Sequence, residues 1–383
     1  MPRLVDIGVF PASIPYDDDP PTVFRDSWGV QLYVKVDLGG YVGWGEVLVY
    51  GSGVVDAYIG VINDVIKPAL VGSSIEAVGD IGGVVKRLEK LLFTAGLCGV
   101  VMGAVGGVEM ALWDAYAKYV GKPLASLLGG PVRYEVPVYA SFPRYSRIDY
   151  VVKAVDKALS RGFTMVKLHE HPDQVPEALK AIRDSQGYDV KVAVDVNAPF
   201  ERPEDALEFI GRIHRYEPAW VEEPTWPPYD YEKLSTIAQK SPIPVAAGEN
   251  EYTLTGFRAL ASTGVAYVQP DISKVGGVLK MMEITNELAR MGKPVAPHHR
   301  PHRSILAHTY TLHIASLSNE IVTVEWPLAP WPQDLINVDL PIRNGMISIA
   351  GLMRGSGVGV SINQELLGSR YNYRGGYRPL VFH

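Results

Sequence analysis

Cysteine is almost missing. Cys98 is the sole example among 383 residues, which excludes an intrachain disulfide and a cysteine-built zinc centre. A lone cysteine reads most simply as a small buried apolar side chain, and its isolation fits a reducing cytoplasm. Long apolar runs are missing too. None reaches the ~18 residues of a membrane span, and the opening Met-Pro-Arg-Leu-Val-Asp lacks the apolar stretch of a signal peptide. A soluble, cytoplasmic protein without membrane partners is expected. Basic excess is absent: the formal net charge is -6, so the clustered positive footprint of a nucleic-acid binder is not there. A mildly acidic chain can still take anionic substrates, because a bound metal dominates its local field. Finally, no Gly-rich phosphate fingerprint follows the first strand, which argues against a dinucleotide-binding fold.

The length that is present predicts about two domains. The first part reads as strands, Val30 to Leu38 and Tyr41 to Glu46, joined at Gly39-Gly40. The Pro- and Asp-rich stretch from Pro11 to Trp28 reads as a long loop, of the kind that is often functional. Helical spacing follows, with Gly103 to Tyr119 stopped by Gly121-Lys122-Pro123. After Pro131 the rhythm changes. Short apolar strands are predicted at Val136–Ser141, Met165–His169, Val190–Asn197, Trp220–Glu223, Val245–Glu249, Tyr267–Asp271, Val295–His298 and Thr323–Glu325. Their starts lie about 20 to 30 residues apart with amphipathic segments between them, the pulse of a parallel sheet with helix crossovers. Eight such units fit a closed α/β barrel, and the last stretch of the chain leaves the rhythm.

Barrel enzymes draw their catalytic groups from the C-terminal ends of the strands. Here those ends read Ser141, Lys167 and His169, Asp195 and Asn197, Glu222, Glu249, Asp271, His298 and Glu325. One strand ending in Asp is ordinary helix or turn capping; a run of ionisable ends in succession is not. Asp195, Glu222 and Glu249 come from adjacent strands, and carboxylates brought together need a cation. All-oxygen donors favour magnesium, with manganese as the alternative, over zinc. Glu223, beside Glu222, faces the other way in a strand. A divalent cation at such a place makes the proton beside a substrate carboxylate removable, because it stabilises the enediolate that results. A base and an acid must then stand on either side. Lys167-Leu168-His169 puts two polar side chains on one strand face, and Asp271 with His298 offers a carboxylate-backed imidazole. Glu325, kept protonated by burial, could donate to the enediolate.

These residues resemble the enolase superfamily, mandelate racemase subgroup, over nearly the whole chain. Gly43-Trp44-Gly45-Glu46 and Ala111-Leu112-Trp113-Asp114 through Gly129-Gly130 resemble its capping domain. Val194-Asp195-Val196-Asn197, Val221-Glu222-Glu223-Pro224, Gly248-Glu249-Asn250, Pro270-Asp271 with Lys274-Val275-Gly276-Gly277, Pro297-His298 and Val324-Glu325 resemble its barrel motifs. The resemblance implies a modified (β/α)8 barrel, (β/α)7β, over residues 131–345, an α+β capping domain over 1–130, and a C-terminal segment, 346–383, that returns to the cap. It implies magnesium on Asp195, Glu222 and Glu249, Asp271–His298 as one acid/base, Glu325 on the enediolate, Lys167 against the substrate carboxylate, and Ser141 and Lys274 in support. It also implies a homo-oligomer, and cap loops at Pro11–Trp28 and Tyr50–Gly53 that cover the barrel mouth.

The chain departs from the family at one point. The usual Lys-x-Lys is Lys-x-His, with His169 in the second place. An imidazole there serves as base, as acid, or as a binding group for a substrate hydroxyl. A symmetric two-base racemase fits this poorly; dehydration of an acid sugar, with a protonated His169 helping the β-hydroxyl leave, fits better. The alternative is a racemase or epimerase of a 2-hydroxy acid. For the distal end of a small carboxylate substrate the candidates are Asn197, His171, His299 and Arg300 on the barrel and Arg25 and Tyr50 on the cap.

Overall fold

The computed structural model describes residues 2–49 and 52–376. Tyr50 and its neighbour Gly51 therefore lie outside the described residues. The chain opens with an antiparallel sheet of β1 (Leu4–Ser13), β2 (Val30–Leu38) and β3 (Tyr41–Val47). The helix Gly99–Val120 packs on this sheet. Its approach explains the Gly-x-Gly of β3. A Cβ on Gly43 or Gly45 would stand 2.0 Å from the carbonyl oxygens of Ala111 or Gly107, so only glycine lets helix and sheet meet. Between the two glycines, the Trp44 amide donates to Asp114. Pro11 to Ser13, expected in the loop, complete β1; residues 14–29 form the loop itself.

The second sheet holds a ring of parallel strands that closes on itself, with Met346–Ser348 added antiparallel to its first strand. Its strands are β4 (Glu135–Ser141), β5 (Met165–Leu168), β6 (Lys191–Asp195), β7 (Val221–Glu222), β8 (Val245–Ala247), β9 (Tyr267–Val268) and β10 (Val324–Pro327). Each of β4 to β8 pairs with the next, and β10 pairs back onto β4. The gap between β9 and β10 is bridged by Val295, which stands in parallel register with both Val268 and Ile321. Eight strand positions thus form a barrel. The seventh is a single bridge rather than the four-residue strand expected from Val295 to His298. Helices follow the strands on the outside; Ile148–Ser160, Val175–Gln186, Pro203–Ile213, Tyr231–Lys240, Leu254–Ala261, Val278–Arg290 and Leu306–Ala315 supply the outer ring. The helix Val278–Arg290 starts on the buried Glu109 of the cap helix, whose carboxylate accepts from the amides of Val278 and Leu279. These bonds satisfy amides that the start of a helix leaves open, so this contact ties the Gly99–Val120 helix to the barrel.

Alternation decides what fills the barrel. Tyr139, Met165, Ala193, Trp220 and Ala246 form a packed layer inside it, each two residues before a predicted site position or level with one. The end of the chain comes back to the first sheet: the Ser13 amide donates to Tyr371 O at 3.0 Å, and Ala12 bridges Asn372. Cys98 is exposed, which corrects the expectation of a core position; it stands at the N-cap of the Gly99–Val120 helix. Among the described residues no helix is long and apolar enough to cross a membrane.

Candidate active site

The C-terminal ends of β6, β7 and β8 bring three carboxylates together. Oxygens of Asp195, Glu222 and Glu249 lie within 4.8 Å of one another, and all three residues are buried. The donor set is all oxygen, which suits a hard divalent cation. One oxygen of each carboxylate is tied down by the protein. Asp195 Oδ1 accepts from the Asn197 amide at 3.0 Å. Glu222 Oε2 accepts from Trp220 Nε1 at 3.0 Å and Gln269 Nε2 at 2.7 Å. Glu249 Oε1 accepts from Asn250 Nδ2 at 3.0 Å. Of the other three oxygens, Glu222 Oε1 accepts from Lys167 at 2.6 Å and Glu249 Oε2 lies 2.7 Å from His298 Nε2. The third, Asp195 Oδ2, is buried and makes no hydrogen bond, an orphaned acceptor of the sort a cation satisfies. The residues present therefore fit a magnesium or manganese ion.

The charge around these oxygens is strongly perturbed. Burial, and behind it the Asp195 and Glu325 charges, push Glu222 up to about 7 against the pull of Lys167. Asp195 goes the other way: burial opposes ionisation, but His169 and Lys167 outweigh it. Lys167 stands among Glu222 (2.6 Å), Glu325 (2.9 Å) and Asp195 (3.3 Å). Burial alone would lower its pKa; those carboxylates hold it well above the ordinary lysine value. It is a fixed cation.

Two imidazoles flank the triad. His169 Nδ1 is 3.2 Å from Asp195 Oδ2. His298 Nε2 is 2.7 Å from Glu249 Oε2, and its Nδ1 is 2.8 Å from Asp271 Oδ2. Asp271 Oδ1 accepts from the Ser273 amide at 2.7 Å, so the carboxylate caps the helix Ile272–Val275 with one oxygen and orients His298 with the other. Burial disfavours the imidazolium of His298, yet Glu249, Glu325 and Asp271 outweigh it and raise its pKa well above the usual value. Glu325 is fully enclosed; its Oε2 accepts from the His299 amide at 3.0 Å and from the Tyr139 hydroxyl at 3.3 Å, while Oε1 faces Lys167. Glu223, with φ +47°, turns away and accepts from the Gly248 amide at 2.9 Å. Burial and then Glu249 raise it to about 8.

The remaining candidates divide. Ser141 is buried with an unbonded hydroxyl on the strand beside Lys167. Lys274 donates to Asn250 Oδ1 at 3.0 Å and lies 3.9 Å from Glu249. Asn197, with Arg144 and His171, lines a cavity of about 230 Å³ beside the site. Arg300 is buried between barrel and cap: it donates to the Val49 carbonyl and its guanidinium lies 5.7 Å from the Trp28 ring centre. The His299 ring points outward instead. It bonds Thr311 at 2.8 Å and stacks on His308 at 4.0 Å, and burial takes its pKa down to about 4. Arg25 is exposed and pairs with Asp17 and Asp26. Three residues escaped the sequence reading: Tyr139, Trp220 and Gln269. Each stands two before a named residue, Ser141, Glu222 or Asp271, and strand alternation would have found them.

The loop 14–29 lies over this constellation. Phe24 and Trp28 stack at 4.1 Å, and both meet the His169 ring edge-on, at 6.1 and 5.9 Å. Lys157 ties the loop to the barrel through Asp18 (2.6 Å), Lys153 through Asp19 (2.8 Å), and Thr22 through the Arg144 carbonyl (2.7 Å). A cavity of about 690 Å³ opens at the other end of the barrel, around Pro137, Met165, Lys191 and Met346; these are strand starts, not the end where barrel active sites stand.

Comparison with known proteins decides the family. Residues 150–366 match the family described as enolase C-terminal domain-like, and residues 7–129 match the mandelate racemase / muconate lactonizing enzyme N-terminal domain. The chain belongs to this family. It is an enzyme of the enolase superfamily. Relatives include an arabinonate dehydratase of Saccharolobus solfataricus, 34% identical over 268 residues, 68% of this chain and 69% of the relative. A D-galactonate dehydratase of Pectobacterium atrosepticum is 28% identical over 281 residues, 70% and 71% of the two chains. In fold, the chain matches a racemase from Streptomyces coelicolor A3(2) solved with bound magnesium, at a TM-score of 0.82 and 21% identity, covering 96% and 100%.

Proposed function

We propose that this enolase-superfamily member is a magnesium-dependent dehydratase of an acid sugar, an aldonate or aldarate, giving a 2-keto-3-deoxy acid. The observation that carries the reading is the pair of unlike imidazoles on opposite flanks of the triad, His169 against Asp195 and His298 against Glu249. The names of the dehydratase relatives support it.

Asp195, Glu222 and Glu249 would hold the cation. It would supply positive charge against the carboxylate whose α-proton is lost. Lys167, a fixed cation, neutralises the same carboxylate. In its neutral form His298 takes the α-proton on Nε2, with Asp271 keeping the other ring proton on Nδ1. The electron pair of the broken C–H bond becomes the new C=C bond, and the β C–O bond breaks. A protonated His169 gives its proton to the departing hydroxyl, so water leaves and the enol relaxes to the 2-keto acid. Glu325 faces the substrate carboxylate through Oε1, beside Lys167 at 2.9 Å, while Oε2 accepts from the His299 amide and the Tyr139 hydroxyl. The stacked Phe24 and Trp28 keep water from His169.

The test is a library of aldonic and aldaric acids with magnesium, read for 2-keto acid. A turned-over acid identifies reaction and substrate together. Exchange of an α-proton with solvent and no keto product anywhere in the library sinks the dehydratase and makes the enzyme an epimerase or racemase.

A further inference from the structure

We infer that Trp220 and Gln269 are positioning residues for Glu222: from inside the barrel they clamp its Oε2, so that Oε1, which Lys167 meets at 2.6 Å, is the oxygen turned toward the cation. This rests on the proposed metal site. Trp220 and Glu222 are two apart on one strand and therefore project into the same interior. Gln269 reaches the same oxygen from β9's end, two strands away. All three side chains are buried, Glu222 and Gln269 completely.

The donors cannot be misread. An indole nitrogen only donates, and the amide group facing a carboxylate must be its NH2. Both hydrogen bonds, at 3.0 and 2.7 Å, fall on Oε2. A carboxylate exchanges its oxygens by turning about one bond; two donors from different strands on one oxygen prevent that turn. The indole itself is fixed. It fits beside Ala193 and Ala246, the small residues of the flanking strands, with the Tyr139 and Tyr267 rings at 5.4 and 5.2 Å. The oxygens of Asp195 and Glu249 that face away from the triad accept from groups within two residues of themselves, the Asn197 amide and Asn250 Nδ2. On the oxygen turned away from the triad, Glu222 is held by two donors from inside the barrel.

Groups that orient a ligand typically contribute about 10- to 100-fold to metal affinity. The experiment titrates Mn²⁺ into the metal-free full chain, reading free Mn²⁺ by its paramagnetic resonance signal, for wild type, Trp220→Phe, Gln269→Leu and the double variant. Tyr267→Leu serves as control, because it removes packing on the indole and no bond to Glu222. Circular dichroism melting with chelator present confirms that each is folded. Each single variant should weaken Mn²⁺ about 10-fold and the double about 100-fold, with Tyr267→Leu close to wild type. Unchanged Mn²⁺ affinity in folded Gln269→Leu and Trp220→Phe overturns the inference. So does an equal loss in Tyr267→Leu, which makes the effect one of packing. Where Trp220→Phe fails to fold, Gln269→Leu alone decides. Asp195→Asn is titrated in parallel: Mn²⁺ bound as tightly as by wild type overturns the metal site itself, a result separate from failure of the clamp.

Discussion

Asp271→Asn separates chemistry from folding at a single atom. In the native site Oδ1 accepts from the Ser273 amide at 2.7 Å and Oδ2 faces His298 Nδ1 at 2.8 Å. The Ser273 N–H can only donate, so an asparagine must put its oxygen there and its NH2 toward His298. The imidazole then has to accept at Nδ1 and carry its proton on Nε2, the atom that should take the substrate proton. The cap on the helix Ile272–Val275 survives, because asparagine caps about as well as aspartate. Stability should stay within about 1 kcal/mol, while kcat falls by roughly 10³- to 10⁴-fold. That range follows the loss seen when the same change inverts the tautomer of a protease histidine, and corresponds to about 4–5.5 kcal/mol of barrier. Keto-acid release and α-proton exchange in deuterated water are both measured, beside thermal melting. A variant that keeps activity within about tenfold, or loses it only by unfolding, refutes the role given to this dyad.

Three further outcomes follow from the geometry. His169→Ala should lose dehydration by about 10²- to 10⁴-fold yet keep α-proton exchange, read by NMR; full dehydration removes His169 from the mechanism. Lys157→Ala loosens the loop 14–29 by removing its bonds to Asp18 and Asp19. A half-screened pair contributes at most about 1 kcal/mol, so KM should rise no more than about fivefold with kcat kept. Glu46→Gln breaks the buried pair with His302 (3.0 Å) while the Ala307 amide stays on Oε2, and should cost about 3 kcal/mol. Burial opposes ionisation of Glu46, but the His302 hydrogen bond and charge win and its pKa lies below 4.5. A depressed folded pKa gives stability that is present above the unfolded value and is lost as pH falls through the folded one. Wild type should therefore lose melting temperature below about pH 4.5 more steeply than Glu46→Gln does.

Much of the fold and of the site was legible because both rest on periodicity. Alternating apolar strands and amphipathic helices announce a barrel whether or not the strands are long, and charged residues at strand ends stand out against that pattern. What periodicity hides is direction and depth. His299 looked like a loop residue next to His298, but neighbours along an extended chain face opposite ways, so its ring goes to Thr311 on the outer helix. Alternation puts Trp220 and Tyr139 on the strand faces of Glu222 and Ser141, while the packed interior shows that their polar tips reach Glu222 and Glu325. Cys98 was misjudged from residue type alone. Val295–His298 read as a full strand, whereas two prolines, Pro294 and Pro297, leave Val295 the pairing position.

The most direct measurement follows an aldonate or aldarate in deuterated water by NMR, with magnesium, with chelator, and with His298→Asn. Formation of the 2-keto acid only when magnesium is present and His298 intact is the predicted result. Turnover that survives the chelator, or survives His298→Asn, contradicts the account of this site as a cation-assisted centre for removing the proton beside a carboxylate.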